Sequence, residues 1–211
     1  MKPLILVSAS LALVSGVPAF AGQPVAPAAA APSSAQSAGP GFTTVIDGAK
    51  NPESLPRREV VWRFFLRVHA MERHQAGNGV VFLEKVVGLQ PNQAQAVVAY
   101  VDTTLSQHRQ FWKSEISSYC NGSVDTSDAK AMASLLSADE NAADVWRDAK
   151  VAGLSTILDT ATISRLDQWM DAHTRNRITV IKADYAKYLA LPGALSDVTE
   201  KIATLCSSNP Q

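Results

Sequence analysis

The sequence predicts an all-α protein, a four-helix-like bundle with a disordered N-terminal leader and a C-terminal amphipathic helix. In four long segments, apolar residues recur at the spacing of helices that bury one face. Each of these segments carries one of the four tryptophans, Trp62, Trp112, Trp146 and Trp169. The stretch RITVI (177–181) is instead rich in residues typical of strands. Because this strand-like stretch is short and the four helical segments are long, we expect helices to form the core.

Residues 1–21 have the pattern of an export signal. Lys2 precedes the apolar run LILVSASLALVSGV, and Ala19-Phe20-Ala21 is a small-x-small cleavage site. This run is too short to span a bilayer comfortably, and no second run of about 18 apolar residues follows. We expect cleavage before Gly22, a periplasmic or secreted protein, and no stable membrane span after cleavage.

Residues 22–42 form an uncharged leader rich in Ala, Pro and Ser. Such a segment buries too little apolar surface to offset the entropy of ordering it, so we expect disorder. Two interpretations stay open: a spacer that lifts the domain off a membrane or wall, and a leader without a role. The remaining residues, 43–211, suit one helical domain.

The first predicted helices are long. Ser54 is a suitable cap and Pro56 fits a first turn, so helix one spans roughly 55–76 and the run GNG (77–79) ends it. Its apolar face is wide, which predicts a central position. VVFLEKVVGL (80–89) is either a short helix or an extended packing segment. Helix two begins at Pro91 and runs to about residue 119 with bundle-like apolar spacing.

Helix three covers roughly 125–158, and Ser137-x-x-Glu140 has the pattern of a capping box that would break it. Helix four spans about 161–174. A last amphipathic helix, 196–206, ends at Cys206. Cys120 and Cys206 are the two cysteines, and an even pair in an exported protein predicts a disulfide that would tie this helix to the end of helix two. Two free thiols are the alternative, but the close CxxC spacing is absent.

The charge balance excludes one class of partner. The chain has 19 basic and 19 acidic residues, without a basic stripe. Nucleic-acid binding is therefore not expected. The sequence also lacks the G-x-S-x-G, H-E-x-x-H and P-loop patterns, so we expect no enzyme and no cofactor.

The histidines pose the question of a metal site. In RVHAMERHQ (67–75), His69 and His74 point about 140° apart on a helix and cannot share one metal. His69 and Glu72 share a face, and His108 and His173 lie on the apolar faces of other helices. These side chains, His69, Glu72, His108 and His173, form the candidate metal set. Helical rise places His69 opposite residue 98 rather than 108, so we favour packed histidines over a metal site.

Two stretches resemble known families. VIDGAKNPESLP followed by VVWRFFLRVHA resembles a motif of uncharacterised exported bacterial proteins, in which D-G-x-K-N-P-E precedes a Phe-Phe-containing helix. The resemblance extends to LDTATISRLDQW (158–169), where those proteins begin a helix with a Leu-Ser-Pro-Glu-Gly-like run. Leu158-Asp159-Thr160-Ala161-Thr162 departs from that run. That resemblance implies no function. GLQPNQAQAV (88–97) is similar to the L-T-x-x-Q motif of periplasmic helical-hairpin stress proteins, with Gln90 where Thr is expected.

Three functions follow from these patterns. We favour a non-enzymatic exported binding module with an unknown protein or peptide partner. The alternatives are a periplasmic metal-binding stress protein that uses the candidate metal set, and an enzyme with an unrecognised site. For the tryptophans, we favour core anchors over a ligand-stacking cage.

Overall fold

A computed structural model describes residues 41–122 and 125–208. The described helices and strands all belong to one compact unit, Phe42–Gln211. The predicted signal peptide (1–21) and nearly all of the predicted leader (22–42) lie outside the described residues. Gly41 and Phe42 are the exceptions; Phe42 is buried, and its ring lies 5.1 Å from that of Tyr188.

Helices dominate the domain, which confirms the all-α class. They are α1 (Arg57–His74), α2 (Asn78–Phe82), α3 (Pro91–Cys120), α4 (Ala129–Ala152), α5 (Thr160–His173), α6 (Tyr185–Leu189) and α7 (Ala194–Ser208). Short 3-10 turns occupy Pro52–Ser54, Gly153–Thr156 and Arg175–Arg177, and a π-helical turn follows α2 at Leu83–Val87.

α1 is the central helix, as its wide apolar face predicts. It packs against α3, α4 and α5, and Val61, Phe64, Phe65 and Val68 are fully buried. Because helix stability in proteins comes mainly from such packing, this helix holds the bundle together.

α4 is continuous through Ser137, so the predicted break there is wrong. The Ser137 hydroxyl donates a hydrogen bond to the Ala133 carbonyl one turn earlier, at 2.8 Å. Serine satisfied in this way is compatible with a helix interior. The helix instead begins at the cap Asp128, whose carboxylate accepts from the Ala131 amide at 2.7 Å, and ends at Gly153.

Gln93, the glutamine of the L-T-x-x-Q-like stretch, has a structural role. Its side-chain oxygen accepts from the Gln90 amide at 3.1 Å, which completes a capping box at the start of α3. Its side-chain nitrogen donates to Asp159 at 3.2 Å and to Thr162 at 3.0 Å. The beginnings of α3 and α5 are therefore tied together.

Two strands form one antiparallel ribbon, and the second of them overlaps the strand-like run RITVI (177–181). β1 (Thr43–Asp47) pairs with β2 (Thr179–Ala183), with Val45 opposite Ile181 and Ile46 opposite Val180. Ile46 and Val180 pack on the core. Since strand side chains alternate between faces, Val45 and Ile181 point away from it.

The predicted disulfide is confirmed. Cys120 at the end of α3 is bonded to Cys206 in α7, and the described residues contain no free cysteine. α7 also packs against α3 and α6. The bridge therefore secures the last helix to the bundle.

Candidate binding surface

The first two candidate metal ligands are engaged separately. His69 Nδ1 lies 2.8 Å from a carboxylate oxygen of Asp102 on α3. The Glu72 carboxylate accepts hydrogen bonds from the backbone amides of Gly77 at 2.7 Å and Gly79 at 3.0 Å. Glu72 thus closes the turn between α1 and α2, which explains why a carboxylate is present on this face.

His108 is buried and uncharged. Its Nε2 accepts a hydrogen bond from the Trp112 indole at 2.8 Å. Burial, together with the positive charge of Arg147, lowers the pKa of His108 to about 4. A lone pair already used by an indole N–H is not available to a metal, so this histidine is a satisfied core residue.

His173 belongs to a surface aromatic stack. Its ring lies 4.8 Å from that of Trp169 and nearly parallel to it, and its Nδ1 donates to the Trp169 carbonyl at 2.9 Å. The structure therefore gives each of the four candidate metal ligands another partner. In residues 41–122 and 125–208, no group of three or more His, Cys, Asp or Glu side chains could hold a metal ion.

The tryptophans divide into two groups. Trp62, Trp112 and Trp146 surround His108, with ring centroids 4.6, 6.0 and 5.4 Å from the imidazole. Trp169 packs instead on Phe64 and Phe82. The three rings around His108 enclose a side chain of the protein itself, as expected for core anchors.

A charged network joins α1, α4 and β2. The buried carboxylate of Asp144 accepts from Arg58 at 2.7 Å, from Arg147 at 2.5 Å and from Lys182 at 3.2 Å. Burial alone would raise the pKa of Asp144, but the three cations outweigh it and hold the pKa below its usual value. This network fixes the ribbon against α4.

A concavity lies beside that network, at the end of β2. It is a groove of about 580 Å³ between the first half of α4 and the segment from the end of β2 through α6. Most of its lining side chains are small: Ala133, Ser134 and Ser137 lie on one side, and Ala183 and Ala186 lie beside the larger Tyr185 on the other. Small side chains let the backbone of a bound chain approach closely. We call this concavity the α4–α6 groove.

Tyr185 connects the α4–α6 groove with a polar layer behind it. Its phenol is hydrogen-bonded to Glu140, and burial together with Glu140 raises the pKa of that phenol. Tyr119 donates to Asp139, and Asp139 is also hydrogen-bonded to Glu115. Burial and the Asp139 charge raise the pKa of Glu115. These titratable groups satisfy one another.

An exposed apolar pair adjoins the α4–α6 groove. Val45 is 45% exposed and its cross-strand partner Ile181 is 53% exposed. Ala183, which lines the groove, lies two residues from Ile181 and so shares its face of the ribbon. The groove therefore borders the face of the ribbon that carries this apolar pair. The sequence showed the strand-like residues but not that they would border a groove.

Within the described ranges, no helix combines the length and apolar character needed to cross a membrane. No family model, curated protein or solved structure matches the chain. Both family resemblances therefore stay predictions.

Proposed function

We propose that the protein is exported and acts without catalysis, as a periplasmic or cell-surface binding module. Its binding site is the α4–α6 groove, and its ligand is an extended segment of a partner polypeptide. The predicted signal peptide supports export, and the Cys120–Cys206 bond agrees with an oxidising compartment.

The groove itself is the observation that carries this proposal. Its volume of about 580 Å³ is in the range of ligand sites in proteins. An extended chain fits because Ala and Ser walls leave room for a backbone, and because the exposed Val45–Ile181 face continues beyond the groove. Catalysis in the groove is not favoured, because its polar side chains have structural partners. Tyr185 is hydrogen-bonded to Glu140, and Asp184 caps α6 by accepting a hydrogen bond from the Lys187 amide at 3.1 Å.

Selection of random twelve-residue peptides displayed on phage against the oxidised protein tests the proposal. Enriched peptides, resynthesised, should bind the wild type and lose at least about tenfold in affinity for Ser134→Trp, because the indole fills the groove. Ala142→Trp is the matched control: Ala142 is equally an exposed α4 residue but does not line the groove. Failure to enrich any peptide, or equal binding by Ser134→Trp, would contradict the proposal.

A thermal melt against Zn, Cu, Ni and Fe, with a chelator control, discriminates the metal-binding alternative. A ligand that binds only the folded state at 100 times its dissociation constant adds about 2.7 kcal/mol of stability. We expect no saturable shift. A shift for one metal that is lost in His69→Ala or His108→Ala would replace the binding-module proposal with a metal-binding function.

A further inference from the structure

Along the β1–β2 ribbon, residue pairs that exchange hydrogen bonds alternate with pairs that do not. In the second kind of pair, the backbone amides and carbonyls point away from the partner strand. The Asp184 amide donates to the Phe42 carbonyl at 2.7 Å, and the Gly48 amide donates to the Ile178 carbonyl at 2.9 Å. With the observed register, these bonds make the even-numbered residues the hydrogen-bonded pairs. The amides and carbonyls of the odd-numbered residues therefore point away from the partner strand.

The outer edge of β2 is unpaired. Within the described residues, the outward amides and carbonyls of Thr179, Ile181 and Ala183 have no hydrogen-bond partner. Thr179 and Ile181 are also exposed. An accessible row of such groups is a template for another strand.

The outer edge of β1 differs from that of β2. The Asp47 carbonyl already accepts from the amides of Lys50 at 3.1 Å and Asn51 at 2.8 Å. Thr43 makes further contacts as well. Of the two edges, β2 is therefore the one that can accept a complete additional strand.

We propose that this edge pairs with the same edge of a second copy of the chain, antiparallel about Ile181, so that two ribbons merge into one sheet. The register is self-complementary: Ile181 would face Ile181 of the other copy, and Thr179 would face its Ala183. Each opposed pair exchanges two hydrogen bonds, which satisfies every outward group of Thr179, Ile181 and Ala183.

The chemistry of the strand favours a second copy as the occupant. Lys182 faces Val180 of the other copy, so the pairing brings no like charges into direct opposition. Lys182 is also held by Asp144 at 3.2 Å and does not stand free at the edge. On the outward face, each Val45–Ile181 pair meets its counterpart and extends one apolar row. A twofold contact of this kind closes on itself, so a dimer is expected rather than a polymer.

Sedimentation equilibrium over about 5–500 µM measures the association, and we expect a reversible dimer with a dissociation constant on the order of micromolar. Ile181→Pro removes the outward amide while the β1–β2 bonds remain, because that amide does not face β1. Ile181→Lys places like charges opposite each other. Each variant should raise the dissociation constant at least about tenfold.

Val45→Lys is the matched control, since Val45 has similar exposure and the same orientation but lies on β1; it should leave the dissociation constant nearly unchanged. A short bismaleimide should join two copies of Ile181→Cys, whose Cα atoms would be about 5.5 Å apart, and not two copies of Val45→Cys. Circular dichroism verifies that each variant is folded.

A monomer at every concentration would overturn the proposal. So would a dimer that persists in folded Ile181→Pro, or cross-linking that is equal at both positions. Ala183 belongs to both the α4–α6 groove and the β2 edge. The two proposals are nevertheless distinguishable, because Ser134→Trp should weaken peptide binding and leave the dissociation constant of the dimer nearly unchanged, whereas Ile181→Pro should raise the latter.

Discussion

At the scale of single residues, Asp144 is the shared acceptor of the charged network. Its side chain is only 12% exposed and contacts Arg58, Arg147 and Lys182. Asp144→Asn should lower the free energy of unfolding by about 3 kcal/mol, because the variant removes the partly buried carboxylate that Arg58, Arg147 and Lys182 share. Chemical denaturation of the oxidised protein measures the change.

Asp148→Asn is the control for Asp144, since Asp148 also binds Arg58, at 3.0 Å, but is 55% exposed. Exposed ion pairs contribute at most about 1 kcal/mol. Equal losses for the two variants would contradict the role given to Asp144. Because the cations hold its folded-state pKa below 3.8, the stabilisation is complete at neutral pH and decreases as the pH falls below 3.8.

His108 should make stability depend on pH in a higher range. Its pKa is about 4 when folded, against 6.5 for the free side chain. As the pH falls below 6.5, His108 becomes protonated in the unfolded chain but stays neutral in the folded protein. The free energy of unfolding therefore decreases. The loss between pH 7 and pH 5 should be about 2 kcal/mol. Denaturation at several pH values measures it.

His108→Gln should flatten this dependence, whereas His74→Gln, at an exposed position of α1, should leave it in place. If stability is constant from pH 7 to pH 5, or if His108→Gln keeps the full slope, folded His108 is not held neutral by its surroundings.

At the scale of elements, the turn between α1 and α2 depends on Glu72. Two amides, of Gly77 and Gly79, donate to its carboxylate. Glu72→Ala should cost about 1–3 kcal/mol, because both donors lose a charged acceptor. Hydrogen exchange at these two amides should accelerate at least about tenfold, in line with that cost.

Arg73→Ala provides the comparison for Glu72, since Arg73 is the adjacent exposed residue of α1. It should change neither stability nor exchange at Gly77 and Gly79. Unchanged protection of both amides in Glu72→Ala would show that other contacts hold the turn.

At the scale of the whole molecule, the Cys120–Cys206 bond closes a loop with a sequence separation of 86. Such a loop greatly restricts the unfolded chain, so the double variant Cys120→Ser/Cys206→Ser should lose roughly 4 kcal/mol of stability. Chemical denaturation with and without reductant measures it. Reductant should destabilise the wild type and leave the stability of the double variant unchanged. An equal effect of reductant on both proteins would show that the disulfide is not the source of the stability difference.

The sequence by itself determined the helical class, the central position of α1 and the pairing of Cys120 with Cys206. Helical periodicity and the number of cysteines are properties of the sequence itself, so they can be read without coordinates. The predicted position of His69 along the neighbouring helix was also nearly right. The rise of two antiparallel helices placed it opposite residue 98, and in the structure it contacts Asp102.

Only the tertiary structure decided the charged network, the α4–α6 groove and the ribbon. Asp144 and Lys182 are 38 residues apart and β1 is more than 130 residues from β2, so no periodicity within one segment relates them. The predicted break at Ser137 failed for a related reason: a serine that can cap a new helix can equally bond the carbonyl one turn back. Packing of α4 against α1 and α6 selects the continuous helix.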